Sequence, residues 1–388
     1  MIDFTNCQVD LSANYGGSDK KRGIVYNGKR YMLKLSDRIS EEKRNGLNSS
    51  YSNSAFSEYI SCHILESMGF DVQHTLLGNI TLFSSKGYDR TYPVVACENF
   101  VPKGYSLVEF KFIESSLLSS GKPPKTPRME DIYEILTHEN AYFSKEFGKI
   151  ALDRYWDTFI ADAFLGNFDR HANNWGYLVK NDTNEIELAP VYDCGSCLYP
   201  QISDEFSIEV LSSEEEIQKR IDKFPQAALT LADGTKANYK KYISSFENQD
   251  CTDALLRVFP KINMEKIHEI IDKTEGVSNE RKEFYHIFRD RRTMLILLGM
   301  PVVQIILFGF AISTEVKNVR VVVLDPSNDV MTRRIVDRIG ASEYFRMERM
   351  IHSPEELEAI FREGDADLAI VFSTRFADGI YSGDSQIQ

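Results

Sequence analysis

The chain has few cysteines for its length, no signal-peptide pattern at its start and too little positive charge for general nucleic-acid binding. Its six cysteines are scattered through 388 residues, which excludes a disulfide scaffold and favours a reducing, cytosolic compartment. With 45 Lys and Arg against 58 Asp and Glu, the net charge is −13. Broad nucleic-acid binding needs a basic surface instead. Residues 1–10 lack the basic and then apolar pattern of a signal peptide, so we expect the bulk of the chain to stay inside the cell.

The length allows two or three structural units and a sizeable core. In the first hundred residues, Ile24–Tyr26 and Tyr31–Leu35 flank Asn27-Gly28, which predicts a β-hairpin with a two-residue turn. The apolar spacing of Ala55–Met68 predicts a helix that ends at a glycine. A second, longer helix is predicted over Tyr142–Leu165, ending at Gly166, and the region from 213 to 275 is predicted to be mostly helical.

A polar loop follows the long predicted helix and has the spacing of a kinase catalytic loop. Asp169 and Asn174 are separated by four residues, as the catalytic aspartate and the metal-binding asparagine are in D-x-x-x-x-N. Asp169 would orient or deprotonate the attacking hydroxyl, and Asn174 would offer an oxygen to Mg²⁺. A second predicted hairpin, Trp175–Lys180 with Glu185–Leu188, leads directly to Asp193. A metal-binding aspartate belongs at such a strand end.

Two further residues extend this pattern upstream. Lys34 is a charged residue on the strand whose Tyr31, Leu33 and Leu35 share the opposite face. Glu58 follows early in the first predicted helix and is placed to pair with Lys34, as a strand lysine and a helix glutamate do in kinases. The alternatives are a lysine that protects a sheet edge and an acid that stabilises a helix N-terminus.

These residues resemble the HipA-like kinases, especially the short members that lack an extra N-terminal domain. The resemblance covers about residues 1–280, and its most specific segments are Gly166–Asn174 and Leu188–Asp193. It implies an α+β fold of two lobes, with a β-rich N-lobe at 1–100 and a helical C-lobe at 101–283. It also implies an enzyme that uses ATP and Mg²⁺ to phosphorylate serine or threonine. A protein substrate, autophosphorylation, a cognate antitoxin and a role as a toxin belong to the same expectation.

The resemblance also assigns roles to individual residues. Asp169 is expected to be catalytic, and His171 to shape the catalytic loop by hydrogen bonding rather than to act as a base. The nucleotide is expected to contact Lys34, and the backbone of the hinge Glu98-Asn99-Phe100 to hold adenine. The phosphate loop falls within Ser12–Arg22, where Ser12 and Ser18 are both candidates for self-phosphorylation. The remaining expected ligands are Glu58, Gly16, Gly17 and Ser18 for the nucleotide, and Asn174 and Asp193 for the metal.

Three other functions are compatible with parts of the sequence. Asp-Arg-His-x-x-Asn also resembles the loop of phosphoinositide kinases, so a small-molecule or lipid kinase is the first alternative. A non-catalytic nucleotide-binding module is the second, and the intact Lys34, Asp169, Asn174 and Asp193 argue against it. A membrane transporter subunit is the third, and a single hydrophobic segment argues against that function.

The last hundred residues differ in character from the rest. Residues 294–312 contain no charge, which predicts a transmembrane helix, with a buried core helix as the alternative. Arginines and a lysine between 281 and 292 precede it, which predicts a bacterial kinase domain in the cytoplasm, tethered to the inner membrane. Residues 289–388 resemble the first helix and outer segment of an ABC-type drug-export permease. We predict strands at Arg320–Leu324 and Ala369–Phe372. We interpret residues 284–388 as an incomplete permease fragment, joined by natural fusion or by rearrangement or misassembly of the coding sequence.

Overall fold

The computed structural model describes residues 1–11, 21–35, 53–83, 87, 89–118, 126–223, 226–288, 298–311, 319–382 and 387. It divides into two compact units, 1–304 and 305–388. The strands described up to residue 288 are β1 (Ile2–Asp3), β2 (Gln8–Val9), β3 (Lys21–Tyr26), β4 (Lys29–Leu35), β5 (Thr75–Phe83), β6 (Asp89–Glu98), β7 (Tyr105–Glu109), β8 (Gly176–Lys180), β9 (Ile186–Leu188), β10 (Gln226–Thr230) and β11 (Lys236–Asn238). The helices are α1 (Ser54–Ser67), α2 (Phe110–Leu117), α3 (Met129–Thr137), α4 (Lys145–Leu165), α5 (Asp204–Leu211), α6 (Glu214–Asp222), α7 (Tyr239–Ser245), α8 (Gln249–Val258), α9 (Met264–Lys273) and α10 (Asn279–Phe288).

The N-terminal part is built on a six-stranded sheet with the order β1-β5-β6-β4-β3-β2. The predicted hairpin is confirmed: β3 and β4 are antiparallel, and Asn27 and Gly28 both have positive φ angles, 49° and 77°. Among the described strands of this sheet, only β1 and β5 form a parallel pair. Because β4 pairs with both β3 and β6, Lys34 lies on an interior strand. The alternative of a lysine that protects a sheet edge is therefore wrong.

The hydrophobic face of β4 packs into the core of this sheet. Tyr31, Leu33 and Leu35 are buried together with Phe4 and Ile24, which confirms the predicted shared face. Lys34 is also buried, but alternation along the strand directs its side chain to the other face. The sequence pattern thus located the charged residue correctly within the strand.

The long helix α4 organises the second half of this unit. The Ser144 hydroxyl accepts a hydrogen bond from the Phe147 backbone N–H at 3.2 Å, which caps the N-terminus, and Gly166 ends the helix with φ 69°. Trp156 and Ile160 are fully buried within it. The second predicted hairpin is confirmed as β8 and β9, and β7 completes a three-stranded antiparallel sheet. The catalytic-loop sequence therefore connects α4 to β8.

The predicted helical region at 213–275 contains a hairpin that the prediction omitted. Strands β10 and β11 pair antiparallel between α6 and α7. The connecting residues include Asp233-Gly234, a dipeptide that favours hairpin turns. Short strands between amphipathic helices leave little periodic signal, so the helical pattern on either side dominates the prediction.

Helix α10 runs across the predicted end of the C-lobe at residue 283. Phe284 and Tyr285 are completely buried, and the buried Arg281 guanidinium lies 2.8 Å from Asp204 Oδ1 at the N-terminus of α5. The predicted domain limits remain predictions, but the packing of this helix extends past 283.

The predicted transmembrane helix at 294–312 is not supported. Within that range the α-helix runs only from Met300 to Ala311. Across the described parts of the chain, no helix is both long enough and apolar enough to span a membrane. Residues 294–297 and 312 lie outside the described residues.

The second unit contains a small parallel α/β sheet. Strand Val319–Leu324 lies between Phe345–Ile351 and Leu368–Val371, and pairs parallel with both. The first and third of these strands match the predicted ones, whereas Phe345–Ile351 was not predicted. The alternation of apolar and charged residues in that strand breaks at Glu348-Arg349, where its pairing register also shifts, so the period-two signal is too short to predict it.

Candidate active site

One buried lysine connects the sheet, helix α1 and the segment after β9. Lys34 Nζ lies 2.8 Å from Glu58 Oε2 and 2.8 Å from Asp193 Oδ1. The other oxygen of Glu58 accepts a hydrogen bond from the Cys194 backbone N–H at 3.0 Å. The structure thus brings together three of the predicted site residues from distant parts of the chain.

The two carboxylates keep Lys34 charged in this buried position. Burial alone would lower the pKa of Lys34, but Asp193 and Glu58 outweigh it and hold that pKa well above its usual value. Burial would likewise raise the pKa of Asp193, yet the adjacent lysine lowers it to about 2. Asp193 is therefore ionised at neutral pH and able to bind a cation.

Residues 169–174 form a loop that its own hydrogen bonds hold in shape. The Asn167 side-chain oxygen accepts from the Asp169 backbone N–H at 3.1 Å. The Asp169 carbonyl accepts from the His171 backbone N–H and from the Asn174 side-chain amide, both at 2.8 Å. Because the amide nitrogen of Asn174 is used in this way, its side-chain oxygen remains available to a ligand.

Asp169 is half-buried and lies near His171. Its Oδ1 is 3.9 Å from His171 Nε2. Burial raises the pKa of Asp169; His171 opposes this rise, and the negative charge of Asp193 adds to it. The Asn173 backbone N–H donates to His171 Nδ1 at 3.3 Å. In the neutral imidazole the proton is then on Nε2, the nitrogen that faces Asp169.

The predicted hinge begins at Glu98, the last residue of β6, and reaches Tyr192 through Phe100. The Glu98 backbone N–H donates to the His74 carbonyl at 2.9 Å, and the Glu98 carbonyl accepts from Gln73 Nε2 at 2.9 Å. The side chain of Glu98 pairs with Lys29, 2.8 Å away. The Phe100 ring packs against Tyr192, with 5.6 Å between ring centroids. Phe100 is thus placed beside the residue that precedes Asp193.

The predicted phosphate-loop residues Ser12, Gly16, Gly17 and Ser18 lie outside the described residues.

The structure also identifies two functional candidates to which the sequence analysis assigned no role. Arg170 and Asp162 are both buried, and their side chains are 2.9 Å apart. The sequence does contain one signal for this pair: a single aspartate in the apolar run Phe159-Ile160-Ala161-Asp162-Ala163-Phe164-Leu165. Because buried acids are normally paired, Asp162 in this run indicates a buried partner of opposite charge.

Comparison with known proteins identifies relatives of the larger part of the chain. The family described as "HipA-like C-terminal domain" matches residues 13–279. The serine/threonine-protein kinase CtkA of Helicobacter pylori strain J99 is 39% identical over 297 residues, which cover 76% of this chain and 86% of that kinase. The crystal structure of the H. pylori proinflammatory kinase CtkA superimposes with a TM-score of 0.68 at 36% identity. It covers 78% of this chain and 98% of the other. The predicted α+β, kinase-like fold is confirmed.

The C-terminal part is similar to a different group of proteins. The family described as "ABC-2 family transporter protein" matches residues 291–387. The probable multidrug ABC transporter permease YbhR of Escherichia coli K12 is 28% identical over 97 residues, which cover 25% of this chain and 26% of that permease. The predicted resemblance of the tail to a permease segment is therefore confirmed, and it extends to about a quarter of the permease.

Proposed function

The chain belongs to the HipA-like C-terminal domain family, and we propose that it is an ATP- and Mg²⁺-dependent serine/threonine protein kinase. The observation that carries the proposal is the contact of Lys34 with both Glu58 and Asp193. Protein kinases require a strand lysine, a helix glutamate and a metal-binding aspartate together for phosphoryl transfer. The similarity to the kinase CtkA over most of both chains supports the same reaction.

The proposed metal ligands have the donor atoms that Mg²⁺ prefers. Asn174 offers its side-chain oxygen and Asp193 offers the carboxylate oxygen that Lys34 leaves uncontacted. Among the described residues, no hydrogen bond is directed at either of these two oxygens. Hard oxygen donors from one carboxylate and one amide suit this cation. When bound, Mg²⁺ would neutralise charge on the phosphates.

The chain's own residues supply binding and orientation. Glu58 holds the ammonium of Lys34, which contacts the nucleotide phosphates. Asp169 accepts the hydrogen bond of the attacking serine or threonine hydroxyl and takes its proton. The raised pKa of Asp169 suits it to that role, because a carboxylate of higher pKa is a stronger base. His171 shapes the loop by accepting a hydrogen bond at Nδ1 from the Asn173 backbone N–H.

The acceptor is a protein hydroxyl in this proposal, because the relative with high identity is a serine/threonine-protein kinase. The small-molecule and lipid alternatives are outcomes of the test below. Self-phosphorylation at Ser12 or Ser18, a cognate antitoxin and toxicity stay predictions. We place the kinase in the cytoplasm, where ATP is available.

The test is transfer of labelled phosphate by the purified full chain. With Mg²⁺ and γ-labelled ATP, the wild type should label itself or a protein acceptor, whereas Asp169→Asn should not. Asp182→Asn serves as the matched control, because it is the same substitution at an exposed aspartate in the turn between β8 and β9. Label that enters only lipid or small-molecule acceptors, or equal labelling by Asp169→Asn, would contradict the proposal.

A further inference from the structure

The guanidinium of Arg170 uses all five of its N–H groups inside the protein. Nε donates a hydrogen bond to Asp162 Oδ2 at 2.9 Å, and Nη2 donates one of its two hydrogens to Asp162 Oδ1 at 3.0 Å. The other Nη2 hydrogen faces Cys194 Sγ at 3.5 Å. Nη1 donates to the Asn174 carbonyl at 3.0 Å and also to the Tyr192 carbonyl. Because a guanidinium has five donors in a fixed plane, these contacts fix both the position and the orientation of the Arg170 side chain.

The partners of Arg170 surround both proposed metal ligands. Asn174 is itself one of them, and Tyr192 and Cys194 are the neighbours of Asp193 on either side. We propose that Arg170, held by Asp162, is a positioning residue that sets the separation between Asn174 and Asp193. This inference rests on the proposed function, because it requires those two residues to bind the same cation.

The backbone conformation at Asp193 explains why this segment needs to be held. Asp193 has φ 57°, in the left-handed region that non-glycine residues adopt only when the surroundings impose it. Arg170 contacts the carbonyl before Asp193 and the thiol after it. The Cys194 backbone N–H is also held, by Glu58. The conformation that directs the Asp193 carboxylate is thus fixed from both sides.

Asp162 anchors the guanidinium to the rigid helix α4. It is buried near the end of that helix, and Asn167 Nδ2 donates to its Oδ1 at 2.9 Å. A lysine at position 170 would preserve the positive charge beside Asp162. However, it has only three donors and no planar fork, so it cannot hold Asp162 and both carbonyls in the same geometry. Charge and positioning are therefore separable by substitution.

The test compares metal binding with folding in the full-length chain. Arg170→Lys retains the buried charge pair but takes the guanidinium donors away from the Asn174 and Tyr192 carbonyls, so it should melt below the wild type while it remains folded at the assay temperature. Its apparent affinity for Mn²⁺, measured by electron paramagnetic resonance in the presence of a non-hydrolysable ATP analogue, should fall by about 10–100-fold, the usual effect of losing a residue that orients a metal ligand. Binding of the analogue in EDTA should change by less than about twofold. The Mg²⁺ concentration for half-maximal phosphate transfer should rise in parallel.

Two more variants complete the design. The double variant Asp162→Asn with Arg170→Met removes both charges, so no buried charge is left unpaired. The asparagine at 162 keeps a side-chain oxygen that can accept the hydrogen bond from Asn167 Nδ2. This variant should show the same loss of Mn²⁺ affinity as Arg170→Lys. Arg257→Lys is the matched control, since Arg257 also pairs with carboxylates of α4, Asp153 and Asp157, but at the surface. It should change neither measurement.

The outcomes separate this inference from the proposed function. If Arg170→Lys and the double variant bind Mn²⁺ like the wild type, or if nucleotide binding weakens equally with and without metal, Arg170 is merely structural and the inference is overturned. A wild-type chain that binds no Mn²⁺ in the presence of the analogue would overturn the proposed function, and the inference with it.

Discussion

Replacing Lys34 by methionine should destabilise the first unit far more than the same replacement of Lys29. Both lysines lie on β4, and each has a carboxylate oxygen 2.8 Å from its Nζ. The two pairs differ in solvent access: the side chains of Lys34 and Glu58 are 9% and 1% exposed, whereas those of Lys29 and Glu98 are 60% and 20% exposed. The comparison therefore keeps the strand, the residue type and the distance, while it changes burial and adds the second carboxylate that Lys34 contacts, Asp193.

The expected magnitudes follow from desolvation. Lys34→Met leaves Glu58 buried without its counter-charge, and breaking a buried pair in this way costs about 3–5 kcal/mol of unfolding free energy. Lys29→Met breaks a pair that water already solvates, which costs about 0.2–1 kcal/mol. At about 2.1 cal/mol/K of unfolding entropy per residue, the larger loss corresponds to roughly 5–8 °C for a unit of 304 residues.

Urea unfolding followed by tryptophan fluorescence measures both variants. The two tryptophans, Trp156 and Trp175, lie in the first unit, so the signal reports on that unit. Adding Glu58→Gln to Lys34→Met should recover at least half of the lost stability, because the buried charge is then removed. A cost for Lys34→Met within about 1 kcal/mol of that for Lys29→Met would refute this reasoning.

Four further predictions address the chemistry, the metal, the packing of α10 and the buried thiols. Asp169→Asn should slow phosphate transfer by at least 10²–10⁴-fold with nearly unchanged ATP affinity; near-normal labelling in a radiometric assay would contradict the assignment. Asp193→Ala should weaken nucleotide binding in Mg²⁺ more than in EDTA, as titration calorimetry can measure, and equal losses would argue for a structural role. Phe284→Ala should cost about 3–5 kcal/mol in urea unfolding, because the ring is completely buried, although it lies beyond the predicted C-lobe limit. Burial raises the pKa of Cys251 to about 12, so iodoacetamide at pH 8 should leave Cys251 unmodified in the native protein while it reacts after denaturation; rapid native labelling, seen by mass spectrometry, would show that this region opens.

Local patterns in the sequence were sufficient for the elements that carry the site. Asn27-Gly28 predicts the β3–β4 hairpin because both residues accept positive φ angles. Gly166 predicts the end of α4 because a left-handed cap needs no Cβ. The spacing from Asp169 to Asn174 predicts the loop, since its hydrogen bonds join residues only a few positions apart. Each of these signals depends on neighbouring residues, and so a linear reading can detect them.

Long-range geometry required the folded chain. Lys34 and Asp193 are separated by 159 positions, and no pattern within either segment states that their side chains meet. The sequence does not reveal the roles of Asp162 and Arg170. An aspartate in an apolar helix indicates that a partner of opposite charge is present, but it does not indicate which residue that partner is. The packing of α10 past residue 283 is of the same kind, because burial of Phe284 depends on surfaces supplied by distant segments. Sequence periodicity indicates whether a segment forms a helix or a strand and which of its residues face the core. Which buried charges pair with one another is decided only by tertiary packing, which excludes water from them.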